Sequence, residues 1–138
     1  MDDEKTEELL LEFTGHNTTR SIKAFAPAGI SLESNLEGEA HGVFDSTFYA
    51  TFDALAKPDG TIEYETRQIH TTTDGQTVLI ELSGTSTRVS PTQNRFVGQN
   101  SFHTASERLG WLNGVTARHE GEYDPVVGEQ RVRVYGTR

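Results

Sequence analysis

Short segments in which apolar and polar residues alternate follow one another along most of the chain, separated by turn-forming residues. Alternation with a period of two is typical of strands that bury one face, and no long apolar stripe shows the 3.6-residue period of a helix. The pattern predicts strands at residues 7–14, 19–25, 30–38, 42–56, 61–73, 76–84, 94–104, 108–119 and 130–136. Short, regularly spaced strands form a sandwich or a barrel, and closure removes exposed sheet edges. We therefore predict an all-β fold, a single closed antiparallel β-barrel of about eight strands with little helix.

The strongest local signal is the pair of segments 61–73 and 76–84, which Asp74-Gly75 joins. Asp-Gly between two alternating segments indicates a tight hairpin, because both residues adopt positive φ at little cost. Pro58-Asp59-Gly60 forms a second turn one segment earlier, so residues 42–84 are predicted to form an antiparallel meander.

In the first and third strands of this meander the apolar side chains share one face. A slip of one residue in the pairing would move such a set into water, so the pattern also specifies the register. The two sets are Phe44, Phe48 and Phe52 in the first strand, and Val78, Ile80 and Leu82 in the third.

The length of 138 residues corresponds to one domain, which we predict to be a β-barrel over residues 1–138 with an acidic N-terminal tail at residues 1–6. A net charge of -9 repels phosphate backbones and anionic membrane surfaces, which argues against nucleic-acid and membrane partners. No window approaches the roughly 20 apolar residues of a membrane span, and the acidic start is unlike a signal peptide. We therefore expect a cytoplasmic protein.

The residue types that hold metals and cofactors do not occur in the usual spacings. The five histidines never form H-x-H or H-x-x-x-H, which would place two imidazoles on one face of a strand or helix. The chain has no cysteine, no Gly-rich phosphate loop and no G-x-S-x-G sequence. The sequence therefore predicts no metal site and no bound cofactor.

Ionisable residues inside predicted strands are the first candidates for chemistry. Glu65 and Arg67 share one face of the segment 61–73, and Glu81 lies on the adjoining strand. If that face points into the lumen, the carboxylates would be desolvated and their pKa values raised toward those of a catalytic acid or base. If it points to solvent, the residues form surface ion pairs that contribute little.

The chain's single tryptophan, Trp111, lies in the segment 108–119, which is predicted to form a hairpin with 94–104 and to precede a loop at 120–128. Trp111 and Asn113 point to the same side of that strand. An aromatic ring beside a carboxamide at a barrel mouth is a plausible ligand-binding pair, with His103 on the neighbouring strand. The alternative is a core tryptophan followed by an asparagine in a turn.

Four segments of the chain carry a resemblance to a known family: P-D-G-T-I-E-Y-E-T-R (58–67), T-T-D-G-Q-T-V-L-I-E-L-S-G-T (72–85), F-H-T-A-S-E-R-L-G-W-L-N-G (102–114) and R-V-R-V-Y (131–135). From about residue 28 onward the chain resembles the family known as domain of unknown function 3237. Its members are small β-barrels of the allene-oxide-cyclase-like architecture. The third segment looks like the family's F-x-T-x-x-x-R-[YL]-x-W-L-N signature.

The resemblance implies a barrel with a lumen, related in architecture to proteins that cyclise or isomerise apolar small molecules without a cofactor. Some members of the family look like cyclases of polyketide-type substrates. The family's Gly-Gly-x-Asp-Trp segment is replaced here by T-F-Y-A-T-F-D-A-L-A (47–56), in which Asp53 stands nearest to the family's aspartate. A ligand-binding role for Asp53 follows from this resemblance alone.

Two hypotheses for function follow. The first is a cofactor-free cyclase or isomerase that holds a mostly apolar, oxygen-bearing small molecule in the barrel. Its catalytic candidates are Glu65, Arg67 and Glu81, and its ligand-binding candidates are Trp111, Asn113, His103, Phe48, Phe52 and Asp53. The second is a non-catalytic ligand-binding or oligomer-forming barrel in which the same residues stabilise the fold. A homo-oligomer is compatible with either hypothesis.

Overall fold

The computed structural model describes residues 6–138, which form eight strands and one short 3-10 helix. The elements, in chain order, are β1 (Glu8–Ala26), β2 (Gly29–Gly42), β3 (Ser46–Ala56), β4 (Thr61–Thr72), β5 (Thr77–Ser90), β6 (Gln93–His103), the 3-10 helix (Gly110–Gly114), β7 (Thr116–Asp124) and β8 (Glu129–Thr137). The acidic tail predicted for residues 1–6 lies outside the described residues, apart from Thr6. No helix within residues 6–138 is long and apolar enough to cross a membrane.

Each strand pairs antiparallel with the next, and β1 also pairs with β8, so the sheet closes into a barrel. The closing ladder runs from Glu8, opposite Gly136, to His16, opposite Glu129. Every strand therefore has a neighbour on both sides, which is how a barrel removes exposed sheet edges. The predicted closed antiparallel barrel is confirmed.

The turn between β4 and β5 forms where the Asp-Gly pair predicted it. The Thr72 hydroxyl donates to Asp74 Oδ1 over 2.6 Å, and the backbone N–H of Gln76 donates to the Thr72 hydroxyl oxygen over 2.8 Å. Gly75 has φ +85°, a backbone conformation that residues other than glycine rarely adopt. The turn sets the register of the two strands, with Thr71 opposite Thr77.

The inner and outer faces of the meander agree with the predicted alternation. Phe48 and Ala50 of β3 are buried, whereas Tyr49 between them is 59% exposed. On β5, Val78 and Ile80 are fully buried. The apolar sets therefore face the lumen and hold the strands in register.

The first part of the chain differs from the prediction of two strands at residues 7–14 and 19–25. A single strand of 19 residues, β1, covers both segments. The register of β1 against β2 shifts between Asn17 and Thr19 and again between Ile22 and Ala24. These irregularities let one continuous strand include the polar residues 16–21, where the interrupted alternation had predicted a gap between two strands.

The segment predicted as one strand at 108–119 is instead a loop, the 3-10 helix and the start of β7. Leu109 and Leu112 are buried at 2% and 0% exposure, and their three-residue spacing matches one turn of a 3-10 helix. Asn113 accepts a hydrogen bond from the backbone N–H of Thr104 at 2.8 Å and donates to the Thr104 carbonyl at 2.9 Å. The Asn113 side chain therefore closes the loop that begins at Thr104. Strand β7 extends to Asp124, so it includes part of the segment 120–128 that was predicted as a loop.

The two ends of the barrel have different contents. One end carries the turns between β1 and β2, β3 and β4, β5 and β6, and β7 and β8, and we call it the open end. The opposite end is filled by buried apolar side chains from the strand ends, the loops and the 3-10 helix, and we call it the closed end. Its main contributors are Leu10, Phe44, Phe102, Leu109 and Leu112.

Substitutions at two adjacent residues of β5 test which face of the strand is buried in the lumen and which faces solvent. Ile80→Ala is expected to lower the free energy of unfolding by about 2–5 kcal/mol, because it leaves a void in the closed half of the barrel. Leu79→Ala removes a side chain that is 42% exposed, and should cost no more than about 0.5 kcal/mol. Urea unfolding followed by circular dichroism measures both, and equal losses would contradict the facing described here.

Candidate functional site

The open half of the barrel encloses a cavity of about 350 Å³ with walls of two kinds. Strands β1, β2, β3 and β8 contribute the apolar side chains Phe13, Leu32, Leu36, Phe52, Ala54 and Val132, and also the polar residues Asn17, Arg20, Ser21, Glu33, Ser34 and Gln130. Strands β4 to β7 contribute most of the polar groups, namely Tyr64, Thr66, Gln68, Ser86, Asn94, His119 and Tyr123. A concave, largely apolar space with a few convergent polar groups is the usual form of a small-molecule site.

Two of these polar groups form a pair in the middle of the cavity. The Tyr64 hydroxyl and His119 Nε2 lie 2.5 Å apart, within hydrogen-bonding distance. Tyr64 is 5% and His119 1% exposed. The Phe52 ring stacks on Tyr64 with 5.5 Å between centroids, so the pair is covered by an apolar surface.

The pair forms because two glycines lie between its members. Tyr64 on β4 is opposite Gly84 on β5, Gly84 is opposite Gly98 on β6, and Gly98 is opposite His119 on β7. A Cβ atom on Gly84 would lie 2.6 Å from the Tyr64 hydroxyl oxygen, and one on Gly98 would lie 2.7 Å from His119 Cε1. The missing side chains let Tyr64 and His119 meet across three strand spacings, about 14 Å along the sheet.

Burial determines the protonation of both residues. Desolvation raises the pKa of Tyr64 and lowers the pKa of His119 to about 4, because each charged form would lose its hydration. At neutral pH the pair is therefore a phenol and an uncharged imidazole. One proton lies between the two residues, and His119 Nδ1 is buried without a hydrogen-bond partner among the described residues.

A second polar cluster lies below the pair, where the cavity ends. His70 is fully buried, with Nδ1 at 2.8 Å from the Ser46 hydroxyl and Nε2 at 2.8 Å from Gln68 Oε1. Desolvation lowers the pKa of His70 to about 3, so the ring is uncharged. The Phe48 ring stacks on it at 4.7 Å between centroids. We call Ser46, His70 and Gln68 the floor cluster.

Near the open end, the Tyr123 hydroxyl donates to Asn17 Oδ1. Burial raises the pKa of Tyr123, which keeps the hydroxyl protonated. Arg20 donates to the carbonyl of Pro125 at 2.8 Å, and Asn94 Oδ1 is buried without a partner among the described residues. The charged residues that border the cavity, Arg20 and Glu33, thus lie at its mouth rather than in its depth.

The three residues predicted as catalytic lie outside the barrel. Glu65, Arg67 and Glu81 are exposed, and Arg67 is opposite Glu81 on the outer face of β4 and β5. The hypothesis that they act in the lumen is therefore wrong. Alternation places Tyr64, Thr66 and Gln68 inside instead, and the charged side chains stay hydrated on the outer face.

The segment 102–114 also lies away from the cavity, at the closed end. Trp111 is in the 3-10 helix, and the Arg138 guanidinium lies 4.2 Å from the centroid of its ring. Asn113 bonds to the backbone of Thr104, and His103 is exposed at the end of β6. Trp111 and Asn113 therefore do not line the lumen cavity, because the chain forms a 3-10 helix there, and a ligand-binding role for the pair stays a prediction.

The remaining three candidates have three different positions. Phe52 lines the cavity. Phe48 packs against His70 in the core, so it supports the floor cluster from within. Asp53 points outward and lies 3.5 Å from Lys23 Nζ. Among the six residues predicted to bind ligand, the cavity is lined by Phe52 alone.

Alternation along β4 places Tyr64 with Ile62 and Thr66 on the face opposite Glu65, but no local pattern links Tyr64 to His119. The two residues are 55 positions apart. The available signal was the pair of glycines, Gly84 and Gly98, inside strands that otherwise alternate. A glycine inside a strand often marks a close approach of another group.

Within residues 6–138, no three His, Asp or Glu side chains come together as a potential metal site. Inside its mouth, the polar groups of the cavity are neutral donors and acceptors, with one phenol–imidazole pair. Such a set can orient oxygen atoms of a small molecule and exchange protons with it.

The barrel is similar to several solved structures. A protein of unknown function from Clostridium acetobutylicum aligns over 100% of both chains with a TM-score of 0.88 and 18% identity. A β-barrel-like protein from Acinetobacter baumannii aligns over 100% of this chain and 99% of its own, with a TM-score of 0.85 and 16% identity. An enzyme from Penicillium herquei aligns over 100% of this chain and 98% of its own, with a TM-score of 0.73 and 23% identity. At these identities the likeness shows the fold.

No family model matches the chain, and no curated protein matches it in sequence.

Replacing one of the two glycines between Tyr64 and His119 tests whether the strands approach as closely as described there. A Cβ on Gly98 would lie 2.0 Å from the Ser83 carbonyl oxygen, so Gly98→Ala is expected to displace β5 and lower the free energy of unfolding by about 1–3 kcal/mol. Gly110→Ala is the matched control, since a Cβ there meets nothing within 4 Å, and should change stability by no more than about 0.5 kcal/mol. A Gly98→Ala protein as stable as wild type would contradict the close approach.

The lowered pKa of His119 predicts how stability depends on pH. Between the unfolded pKa of 6.5 and the folded pKa of about 4, the unfolded chain binds the proton more strongly, so stability falls as pH drops through this range. Between pH 7 and pH 5, the free energy of unfolding should therefore fall by about 2 kcal/mol less in His119→Gln than in wild type. Urea unfolding at several pH values measures the slope. His16→Gln, at an exposed position, should behave as wild type; identical slopes in all three proteins would refute the assignment.

Proposed function

We propose that this barrel is a cofactor-free cyclase or isomerase that transfers protons on a mostly apolar, oxygen-bearing small molecule held in the lumen. The observation that carries the proposal is the hydrogen bond between Tyr64 and His119 inside a largely apolar cavity. Paired titratable groups with shifted pKa values in a cleft are typical of acid–base sites. Their position inside the lumen is what distinguishes them from the charged residues on the outer face.

The ligand in this proposal is uncharged. The lumen wall within the barrel is made of apolar side chains, hydroxyls, carboxamides and the neutral pair, so a buried charge would have no counter-ion there. Phe52 and Phe96 offer aromatic surface on opposite sides of Tyr64. An aromatic or polyene body would pack against these rings.

In the proposed step, Tyr64 relays a proton between ligand and His119. The ligand's acidic C–H or O–H bond breaks and its proton goes to the Tyr64 oxygen, while the Tyr64 proton goes to His119 Nε2. The electron pair left on the ligand forms the new double bond or ring bond, while a C=O or C=C π bond of the ligand breaks and its electron pair moves to the atom that then accepts the proton. The proton then returns to another ligand atom by the reverse path, so the reaction is balanced without an oxidant or reductant.

Two likenesses support the proposal by analogy. One structural neighbour is an enzyme, from Penicillium herquei, so at least one protein of this shape catalyses a reaction. The resemblance to the domain of unknown function 3237 family adds cyclisation of polyketide-type molecules as the reaction class. Since one fold supports many functions, the proposal depends on the Tyr64–His119 site more than on these likenesses.

Hydrogen–deuterium exchange on a model ketone tests the proton transfer. β-Tetralone, an uncharged bicyclic ketone with acidic α-hydrogens, should exchange them faster in deuterated water when the protein is present, as followed by NMR. Tyr64→Phe and His119→Gln should each lower the protein-dependent rate by about 100-fold or more, because either change interrupts the relay. Glu65→Gln, on the outer face, should leave the rate within about twofold of wild type.

The same samples decide between the two functional hypotheses. Saturation-transfer NMR reports whether β-tetralone binds. Binding without accelerated exchange would favour the non-catalytic ligand-binding barrel. Accelerated exchange that survives both Tyr64→Phe and His119→Gln would refute the assignment of the pair while leaving a catalytic lumen.

A further inference from the structure

The floor of the cavity presents a hydrogen-bond donor of defined orientation. Gln68 lines the cavity and is 2% exposed, between Ala50 on β3 and Ile80 on β5. Its Oε1 lies 2.8 Å from His70 Nε2. Within residues 6–138 no hydrogen bond is formed by its side-chain nitrogen. Buried carboxamides usually have hydrogen-bond partners for both the oxygen and the NH2 group, and here the NH2 group lacks an acceptor.

Because Gln68 Oε1 lies beside His70 Nε2, this contact sets the tautomer of His70 and leaves the other half of the amide free. A carboxamide oxygen only accepts, so His70 Nε2 carries the proton and donates to it. Nδ1 of the uncharged ring then accepts from the Ser46 hydroxyl, 2.8 Å away. The chain from Ser46 through His70 to Gln68 Oε1 therefore leaves the NH2 group of Gln68 as the donor available to the cavity.

The floor favours an uncharged oxygen. Ala50, Ile80 and Phe48 surround the floor cluster, and His70 is an uncharged imidazole. A carboxylate would be buried there without a cation, at a cost that a single neutral amide does not offset. A carbonyl oxygen needs one donor and brings no charge.

From this geometry we propose that Gln68 forms a second polar subsite, which receives a carbonyl oxygen at the inner end of an uncharged ligand. The inference rests on the proposed function for its premise that a small molecule occupies the lumen, and it adds a requirement on that molecule. Tyr64 and Gln68 are four residues apart on β4, so their Cα atoms lie about 13 Å apart. The substrate then carries two oxygen functions: one at its inner end, and one further out beside the Tyr64–His119 pair.

Matched naphthalene probes test the subsite in the full-length protein. β-Acetylnaphthalene carries a carbonyl, β-ethylnaphthalene has a similar shape without the acceptor, and β-naphthoate is charged. Gln68→Met keeps the side-chain length and removes the donor. It is expected to weaken β-acetylnaphthalene binding by about three- to tenfold, the loss of one neutral hydrogen bond, and to leave β-ethylnaphthalene within about twofold. Gln99→Met, the same change on the outer face of β6, should leave both within about twofold.

The orientation of the bound probe is measured in wild-type protein, which keeps the test valid if Gln68→Met does not fold. Nuclear Overhauser contacts should connect the Gln68 NH2 protons with the acetyl methyl group of β-acetylnaphthalene. β-Naphthoate should bind at least about tenfold more weakly than the ketone. The subsite is refuted if the acetyl group contacts Tyr64 instead, if Gln68→Met affects both neutral probes equally or neither, or if no probe binds.

The two proposals can fail separately. Loss of deuterium exchange in Tyr64→Phe with unchanged probe selectivity in Gln68→Met would support the catalytic pair and refute the floor subsite. Changed selectivity in Gln68→Met without any protein-dependent exchange would support the subsite in a barrel that binds without catalysing proton transfer.

Discussion

The hydrogen-bonded ladder between β1 and β8 is the constraint on which the rest of the structure depends. Because this ladder closes the sheet, every strand has an inner face toward the lumen and an outer face toward solvent. None of the eight strands lies at a free edge of the sheet. Polar side chains of the inner face lose bulk water and require partners inside the barrel. Ser46, His70 and Gln68 meet this requirement as one cluster, and Tyr64 and His119 meet it as another.

The same desolvation gives the candidate site its chemical character. It keeps the phenol of Tyr64 protonated and the imidazole of His119 uncharged, so the pair can pass a proton without holding a permanent charge in an apolar cavity. This arrangement has a cost, because His119 Nδ1 is buried without a hydrogen-bond partner among residues 6–138. An unpaired buried polar atom is destabilising, and such sites often serve ligands rather than the stability of the fold.

Much of the fold was predictable because its causes are local. The Asp74-Gly75 turn, the shared apolar faces of β3 and β5, and the meander all follow from turn chemistry and alternation within a few residues. The errors also have local causes. The alternation of β1 was interrupted by bulges, and the segment after His103 carries Leu109 and Leu112 at the spacing of a 3-10 helix that resembled a strand. The candidate site was predicted poorly, since charged residues inside strands drew attention to the outer face, and of the predicted residues only Phe52 lines the cavity.

The sequence by itself determined most of the strands, most of their turns and the alternate faces of these strands, because these depend on neighbouring residues. It also determined that Tyr64 lies on the face opposite Glu65. Only the tertiary structure decided which face is the lumen and which rows of side chains meet across it. The row of Tyr64, Gly84, Gly98 and His119 depends on the register of four strands and on the curvature of the closed sheet. These are long-range properties, and no pattern along a single strand specifies them.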